Sequence, residues 1–274
     1  MSAKKARFDI WSAVSLCLLA LFLFFLVYPI GRLLIEAVYK DGVFSLDAFQ
    51  EFSGKSYYYA SIFNSVKIAI VVTVLSLLIG IPFSYFYSFF RLKGRKVLLI
   101  LCLLCTMSAP FIGAYAWILL LGNSGLITKF IASLGLPTVS IYGFGGIVFV
   151  QVLKLFPLIV IYMNGAFRDI DNSLLEAAES MGCKGLDRFR RVTMALTMPT
   201  ILAGALLVFM RSFADFGTPA LIGRGYSTFP VLIYNQFLGE NGSNYHFAAA
   251  TSVIAVVVTA VIFILQKVAT SRFK

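Results

Sequence analysis

Lys154, Arg211 and Asp215 stand deep inside long apolar runs, and Lys67 stands near the end of another. An ionised side chain is costly in hydrocarbon, so such residues face a protein interior or a wet cavity. Arg211 and Asp215 are four apart, and on a continuous helix residues at that spacing share a face and their side chains meet. Two readings of this expected pair stay open. It is a structural ion pair that fixes helix packing, or it lines a translocation path or its outer gate; Lys154 is the third candidate for that path. Gly217 and Pro219 follow directly, so the helix is expected to loosen there and turn backbone carbonyls toward a cavity. Lys67 reads as a side chain that snorkels to the interface.

Other chemistry has little material. His246 is the only histidine, and the four cysteines are Cys17, Cys102, Cys105 and Cys183. Cys102 and Cys105 form a C-x-x-C, but within 97-VLLILCLLCTM-107 and with no second pair nearby, so they read as buried apolar thiols rather than ligands. No G-x-x-x-x-G-K-[ST] occurs, so the chain has no phosphate-cradling loop of its own. No nucleophile–base set is available with one histidine. No catalytic residue, cofactor site or metal site is expected.

The elements that position these residues are membrane spans. The chain is 60% hydrophobic and 13% charged. A soluble domain averages about 45–50% apolar and about 25% charged residues, so both departures point to a polytopic membrane protein. Six runs reach the roughly 20 residues a spanning helix needs. They cover about 10–35, 62–89, 97–121, 141–166, 198–222 and 247–267, and make a single transmembrane domain over 1–274. The first is too long for a signal-peptide core and is read as a retained span. The expected fold is all-α, and no internal repeat is evident.

The net charge of +11 is mainly a topology signal. Lys4, Lys5, Arg7, Arg91, Lys93, Arg95, Lys96, the five basic residues of 168–191, and Lys267, Arg272 and Lys274 total fifteen on one side, against five on the other. Asp41 is among the acidic residues of the first outer loop. The asymmetry puts both termini in the cytoplasm and excludes nucleic acid as the reason for the charge.

Between the fourth and fifth runs lies a soluble-looking passage, 172-NSLLEAAESMGCKGLDRFRRV-192, within a loop of about 168–197. Ser173 and Glu176 fit the S-x-x-E capping box, with Glu176 near the positive end of the helix dipole. Leu174, Leu175, Ala177, Ala178 and Met181 are expected to give one apolar, sterically low side. Gly182 ends the run where a left-handed residue is needed, so a nine-residue helix is expected over about 173–181. A helix that short is marginal in water and calls for a groove to sit in. The segment 185-GLDRFRRV-192 then restarts a basic amphipathic stretch into the fifth run. Local physics leaves open a plain solvated loop or a docking element.

The passage resembles the EAA loop of permease subunits of binding-protein-dependent ABC importers, whose pattern runs E-A-A-x3-G-x9-I-x-L-P. Glu176, Ala177, Ala178 and Gly182 match it; Val192 and Met194 replace the two aliphatics, and Ala195 stands where the pattern has proline. Pro199 matches a second proline common in the family. The six-run layout extends the resemblance over nearly the whole chain. The stretch 213-FADFGTPALIGRGYSTFPVLIYNQF-237 is similar, more finely, to permeases of the ferric iron, aminoethylphosphonate, polyamine and thiamine cluster.

This resemblance implies a type I importer permease fold in a bacterial or archaeal plasma membrane. It implies that Ser173, Glu176, Ala177, Ala178, Met181 and Gly182 form a coupling helix that docks on an ATPase. The implied partners are two ATPase subunits that bind ATP and Mg, a second permease subunit, identical or related, and an extracytoplasmic solute-binding protein. The alternative class is a secondary transporter or channel not coupled to ATP. Inverted repeats would favour it, and none is seen.

Overall fold

The computed structural model describes residues 10–40, 42–90, 93–138, 140–238 and 244–271. Lys4, Lys5, Arg7, Asp41, Arg91, Arg272 and Lys274, whose charges enter the orientation reading, lie outside the described residues.

Helix α1 (Ile10–Phe22) continues through a π-helical stretch (Leu23–Val27) into α2 (Tyr28–Val38). A hairpin of β1 (Tyr39–Lys40) and β2 (Val43–Phe44) and α3 (Asp47–Gly54) follow. Next come α4 (Ser56–Phe89), α5 (Arg95–Thr106), α6 (Pro110–Leu121), α7 (Leu126–Ser133) and α8 (Phe144–Arg168). The chain then forms α9 (Asn172–Ser180) and α10 (Gly185–Arg188), a second π-helical stretch (Phe189–Thr193), and α11 (Met194–Phe213). It closes with α12 (Gly217–Ile222), α13 (Phe229–Leu238) and α14 (Tyr245–Ser271). Among the described residues six stretches are long and apolar enough to cross a membrane. These are Ile10–Val38, Ser56–Phe89, Phe111–Ser133, Phe144–Arg168, Gly185–Phe213 and Tyr245–Ile264.

Two expected spans are laid out differently. The run 97–121 is split between α5 and α6, and the stretch of spanning length is Phe111–Ser133 instead. Pro110 is the cause: it pushes Ala109 to φ −63°, ψ 145°, which no helix continues through. The run 198–222 is also divided, because α11 ends at Phe213 and α12 starts at Gly217. The ring of Pro219 and its missing N–H forbid an α-helical bond to Asp215. At its other end this fifth helix begins well before the apolar run, at Gly185. The helix passes from Gly185 to Phe213 without a break, through the π-helical stretch, with Ala195 and Pro199 both inside α11.

The chain divides into two compact units, described in turn. The first comprises the residues up to Lys55 together with Ile233–Val257. No residue of Ile10–Phe22 is buried within it. Its small core takes Ala37, Ala48, Phe52, Phe247 and the alanines 248–250. His246 donates through Nδ1 to the Glu36 carbonyl, 2.7 Å away.

The second unit comprises Ser56–Leu232 and Val258–Lys274. Its core gathers Ile68 and Val72 of α4, Ile147, Leu155, Ile159 and Met163 of α8, and Ile201 and Val208 of α11. The buried face of α4 is mostly small: Ser61, Ser65, Ala69, Thr73, Ser76, Gly80 and Ser84. Small residues let helix backbones approach closely, which is how helices associate where lipid removes the hydrophobic drive. The hydroxyls of Ser61, Thr73 and Ser84 bond carbonyls of their own helix, so they enter the interface already satisfied.

Ile159 sits where three helices meet. A Cβ added at Gly80 would stand 2.8 Å from Ile159 Cβ, and one at Gly204 would stand 3.1 Å from its Cδ1. We expect Gly80→Val to destabilise this unit by about 1–3 kcal/mol through overpacking. The added Ile159→Ala change should recover part of that loss, because it removes Ile159 Cγ2, which also stands 2.8 Å from the added Cβ, while Ile159 Cβ stays. Thermal unfolding of the detergent-purified chain reads both variants. An unchanged midpoint in Gly80→Val would refute the close approach.

Candidate functional site

The polar loop between α8 and α11 folds as a capped short helix. Its N-cap is Asp171, not Ser173: Asp171 Oδ1 accepts the Ser173 N–H at 2.9 Å. This hydrogen bond holds the Asp171 carboxyl below its ordinary pKa. Its stabilising effect is therefore present above the usual carboxylate range and is lost only as pH falls through that lowered value. Ser173 lies inside the helix and Glu176 falls in the second turn, so the expected Ser173–Glu176 capping box is replaced. Three residues able to cap run in sequence here, Asp171, Asn172 and Ser173, and the charged acceptor gives the strongest bond. The helix accordingly spans Asn172–Ser180, one residue earlier than expected.

Its C-terminus is a Schellman motif. The Cys183 N–H bonds the Ala178 carbonyl at 2.9 Å and the Gly182 N–H bonds the Glu179 carbonyl at 3.0 Å. Gly182 carries φ +89°, the left-handed conformation its position requires.

The apolar residues of α9 do not form one side. Leu175 and Ala178 are buried, while Leu174, Ala177 and Met181 are exposed. The exposed three are spaced i, i+3, i+7, so they make a single stripe pointing away from the chain's own core. Met181 is 84% exposed and Leu186, just beyond, 71%. Arg188 Nη1 donates to Glu179 Oε2 at 2.9 Å and ties α9 to α10. In the π-helical stretch Phe189 packs its ring 4.6 Å from Tyr85, which lies 4.8 Å from Phe89, itself 5.7 Å from Phe167. These aromatics join the loop to the ends of α4 and α8.

The intramembrane charges are arranged otherwise than expected. Asp215 pairs with Lys154, Nζ to Oδ1 3.7 Å, and not with Arg211. Because α11 ends at Phe213, the four-residue helical spacing between Arg211 and Asp215 does not hold. Asp215 turns inward and is 8% exposed; Arg211 is exposed. Gln151 Nε2 donates to Asp215 Oδ2 at 3.0 Å, and the Ser212 hydroxyl donates to Gln151 Oε1. A cavity of about 490 Å³ nevertheless brings all three expected residues together, lined by Thr106, Lys154, Met210, Arg211 and Asp215. Gln151 and Ser212 escaped the sequence reading. The signal was an amide in the middle of the apolar run 141–166, a group that needs partners at that depth.

Lys67 places Nζ 4.9 Å from the centroid of the Phe144 ring, a cation–π contact. Cys102 is buried, but Cys105 is exposed, which corrects the expectation for the second thiol. Among the described residues no group of three His, Cys, Asp or Glu is placed to hold a metal ion.

The fold and this loop define an inner-membrane transport component. Residues 76–274 match the family model of the binding-protein-dependent transport system inner membrane component, and the chain belongs to that family. It is 31% identical over 209 residues to the spermidine/putrescine transport system permease protein PotB of Haemophilus influenzae, covering 74% of this chain and 72% of that one. It is 27% identical over 255 residues to the ferric transport system permease protein FbpB of Actinobacillus pleuropneumoniae. That match covers 92% of this chain, which spans only 37% of the ferric relative's length. A solved bacterial ABC transporter involved in import of the acidic polysaccharide alginate matches with TM-score 0.81 and 21% identity. The match covers 97% of this chain and 96% of the other, and the shared fold is that of type I ABC importer permeases.

Proposed function

We propose that this chain is the membrane-spanning permease subunit of an ATP-driven importer. It forms the translocation path for a small hydrophilic solute of the ferric iron, aminoethylphosphonate or polyamine class. An extracytoplasmic binding protein delivers the solute. ATP and Mg act on two separate ATPase subunits, and a second permease, identical or related, completes the path. The chain sits in a bacterial or archaeal plasma membrane with both termini and the 168–197 loop in the cytoplasm, as the distribution of basic residues favours. Lys154, Arg211 and Asp215 line the path.

The observation that carries this reading is the exposed stripe of Leu174 and Ala177 on a nine-residue helix, continued by Met181 at its C-cap. A short helix that keeps its apolar stripe outside its own core is suited to a groove on a partner. The small Ala177 lets that groove close on the backbone. The family match supports an ATPase as the partner.

The test is co-purification with an ATPase subunit from the same genome. Ala177→Glu and Met181→Glu place charges on exposed positions, so the chain should still fold and insert. Each should cut the recovered ATPase at least tenfold, the scale of a charge desolvated without a partner. ATPase recovery equal to that of the unsubstituted chain would remove α9 as the docking element. ATP-independent uptake of solute would favour the secondary-transporter class instead.

A further inference from the structure

Two backbone breaks meet at Lys154. The first, Met107–Ala109, separates α5 from α6; the second, Ala214–Phe216, separates α11 from α12. Non-helical backbone at membrane depth persists only where protein buries it or where it lines a wet cavity. Both breaks border cavities. The larger, about 490 Å³, takes Lys154, Arg211 and Asp215; a smaller one of about 160 Å³ takes Cys105, Ser108, Lys154 and Thr218. Lys154 lines both.

The polar groups here are mismatched in one direction. Asp215 already accepts from Gln151 and pairs with Lys154, and Gln151 is fixed in turn by Ser212. That carboxylate is committed. Against it stand two cations, Lys154 and Arg211, so the described lining of the two cavities carries one positive charge in excess. Thr218 is 1% exposed, lines the smaller cavity, and its Oγ1 has no hydrogen-bond partner. The excess cation calls for a group that carries negative charge, and the orphan Thr218 hydroxyl, on the cavity that Lys154 also lines, is able to donate a hydrogen bond to it. Among the described residues a bare polyvalent cation finds one engaged carboxylate here and no cluster of metal ligands.

We propose that the cavities at these two breaks form an intramembrane binding site for an oxyanion-bearing solute, a phosphonate, phosphate or carboxylate. Lys154 and Arg211 supply the charge and Thr218 a hydroxyl. This rests on the path reading above and narrows it: a polyamine or an uncomplexed ferric ion does not fit the charge of the site. The larger cavity is of a size that encloses a small solute. Asp215 is then a positioning residue, holding the Lys154 ammonium between the two cavities.

The native Cys105 thiol, exposed and on the wall of the smaller cavity, reports on the site. The chain, reconstituted with its ATPase partner and carrying Cys17→Ser, Cys102→Ala and Cys183→Ser, is treated without ATP. Anionic sulfonatoethyl and cationic trimethylammonioethyl methanethiosulfonates are compared, each rate normalised to the same reagent on a free thiol. We expect the anionic reagent to be favoured on the order of tenfold, the size of local electrostatic focusing in a cleft. Millimolar phosphate or methylphosphonate should slow it several-fold, and putrescine should not. Lys154→Gln should abolish the preference; Arg211→Gln, an exposed position with no ion-pair role, should reduce it without loss of fold. A preference for the cationic reagent, protection by putrescine but not phosphate, or a Cys105 inert to both overturns the site. Because ATP is absent, the result separates from the importer reading. Anion preference with no ATP-driven uptake would remove the importer reading and leave the site standing. Coupled uptake with a cation-preferring cavity would do the reverse.

Discussion

Gly182→Val is expected to cut ATP-driven uptake at least tenfold while leaving insertion and the unfolding of the membrane core unchanged. The expectation rests on backbone conformation alone. A Cβ at Gly182 would meet nothing within 4 Å, so there is no clash to relieve. The whole cost is the φ of +89°, which a β-branched residue adopts only with strain of about 1–3 kcal/mol. That is decisive for α9, whose buried residues are only Leu175 and Ala178. Once Gly182 leaves the left-handed region, the bonds closing onto Ala178 and Glu179 go, and the last turn unwinds. Uptake into proteoliposomes should fall at least tenfold, with ATPase activity no longer stimulated by loaded binding protein. Gly182→Asn should keep most of the activity, because asparagine tolerates this conformation. Wild-type uptake by the valine variant would remove the geometry of α9 from the coupling step.

Asp215→Ala is expected to cost stability at the centre of the polar cluster. It strips the Lys154 ammonium and the Gln151 amide of their common acceptor. Orphaned buried donors cost about 1–3 kcal/mol each, and the 23% exposure of the Lys154 side chain lowers its share. We expect a net loss of about 2 kcal/mol, read as a lower unfolding midpoint. Adding Lys154→Met should restore much of it, since replacing both members of a buried pair by apolar groups is often nearly neutral. Uptake should stay low in the double variant, which lacks the lysine proposed to line the path. A double variant as unstable as the single would show that the two residues are not coupled. Wild-type uptake by the double would exclude both side chains from the path.

The parts of this protein that follow from local rules were legible in its residues. The left-handed Gly182 follows from a glycine placed after a nine-residue helical pattern. A helix break near Pro219 was legible too, but it falls earlier than expected, at Ala214–Phe216, with Gly217 and Pro219 inside α12. What was not legible depended on choices between equivalent local options, or on tertiary partners. Asp171 and Ser173 both satisfy the cap rule, and the competition is settled by charge. Apolar length alone made 97–121 one span, though Pro110 sits in its middle and divides it. Arg211 and Asp215 match the helical ion-pair spacing, but that spacing applies only while the helix continues. The true partners of Asp215, Lys154 and Gln151, come from α8, more than 60 positions earlier, and no local pattern indicates them. The exposed stripe on α9 was read as part of a single apolar side because periodicity reports a face, not which face a neighbouring helix has already covered.

The unbroken passage from Gly185 to Phe213 also has a mechanical meaning. Its 29 residues make a strut roughly 40 Å long. A hydrogen-bonded helix is stiff along its axis, so a push at one end arrives at the other nearly undiminished. Compliance is left to the joints. One joint is the Gly182 turn; the other is the non-helical step at Ala214–Phe216, whose middle residue holds the Lys154 ammonium. The π-helical stretch sets the rotational phase between those ends rather than their separation. A shove on the short helix would therefore be felt as a twist or lift beside the lysine, with few places along the way for the stroke to be lost.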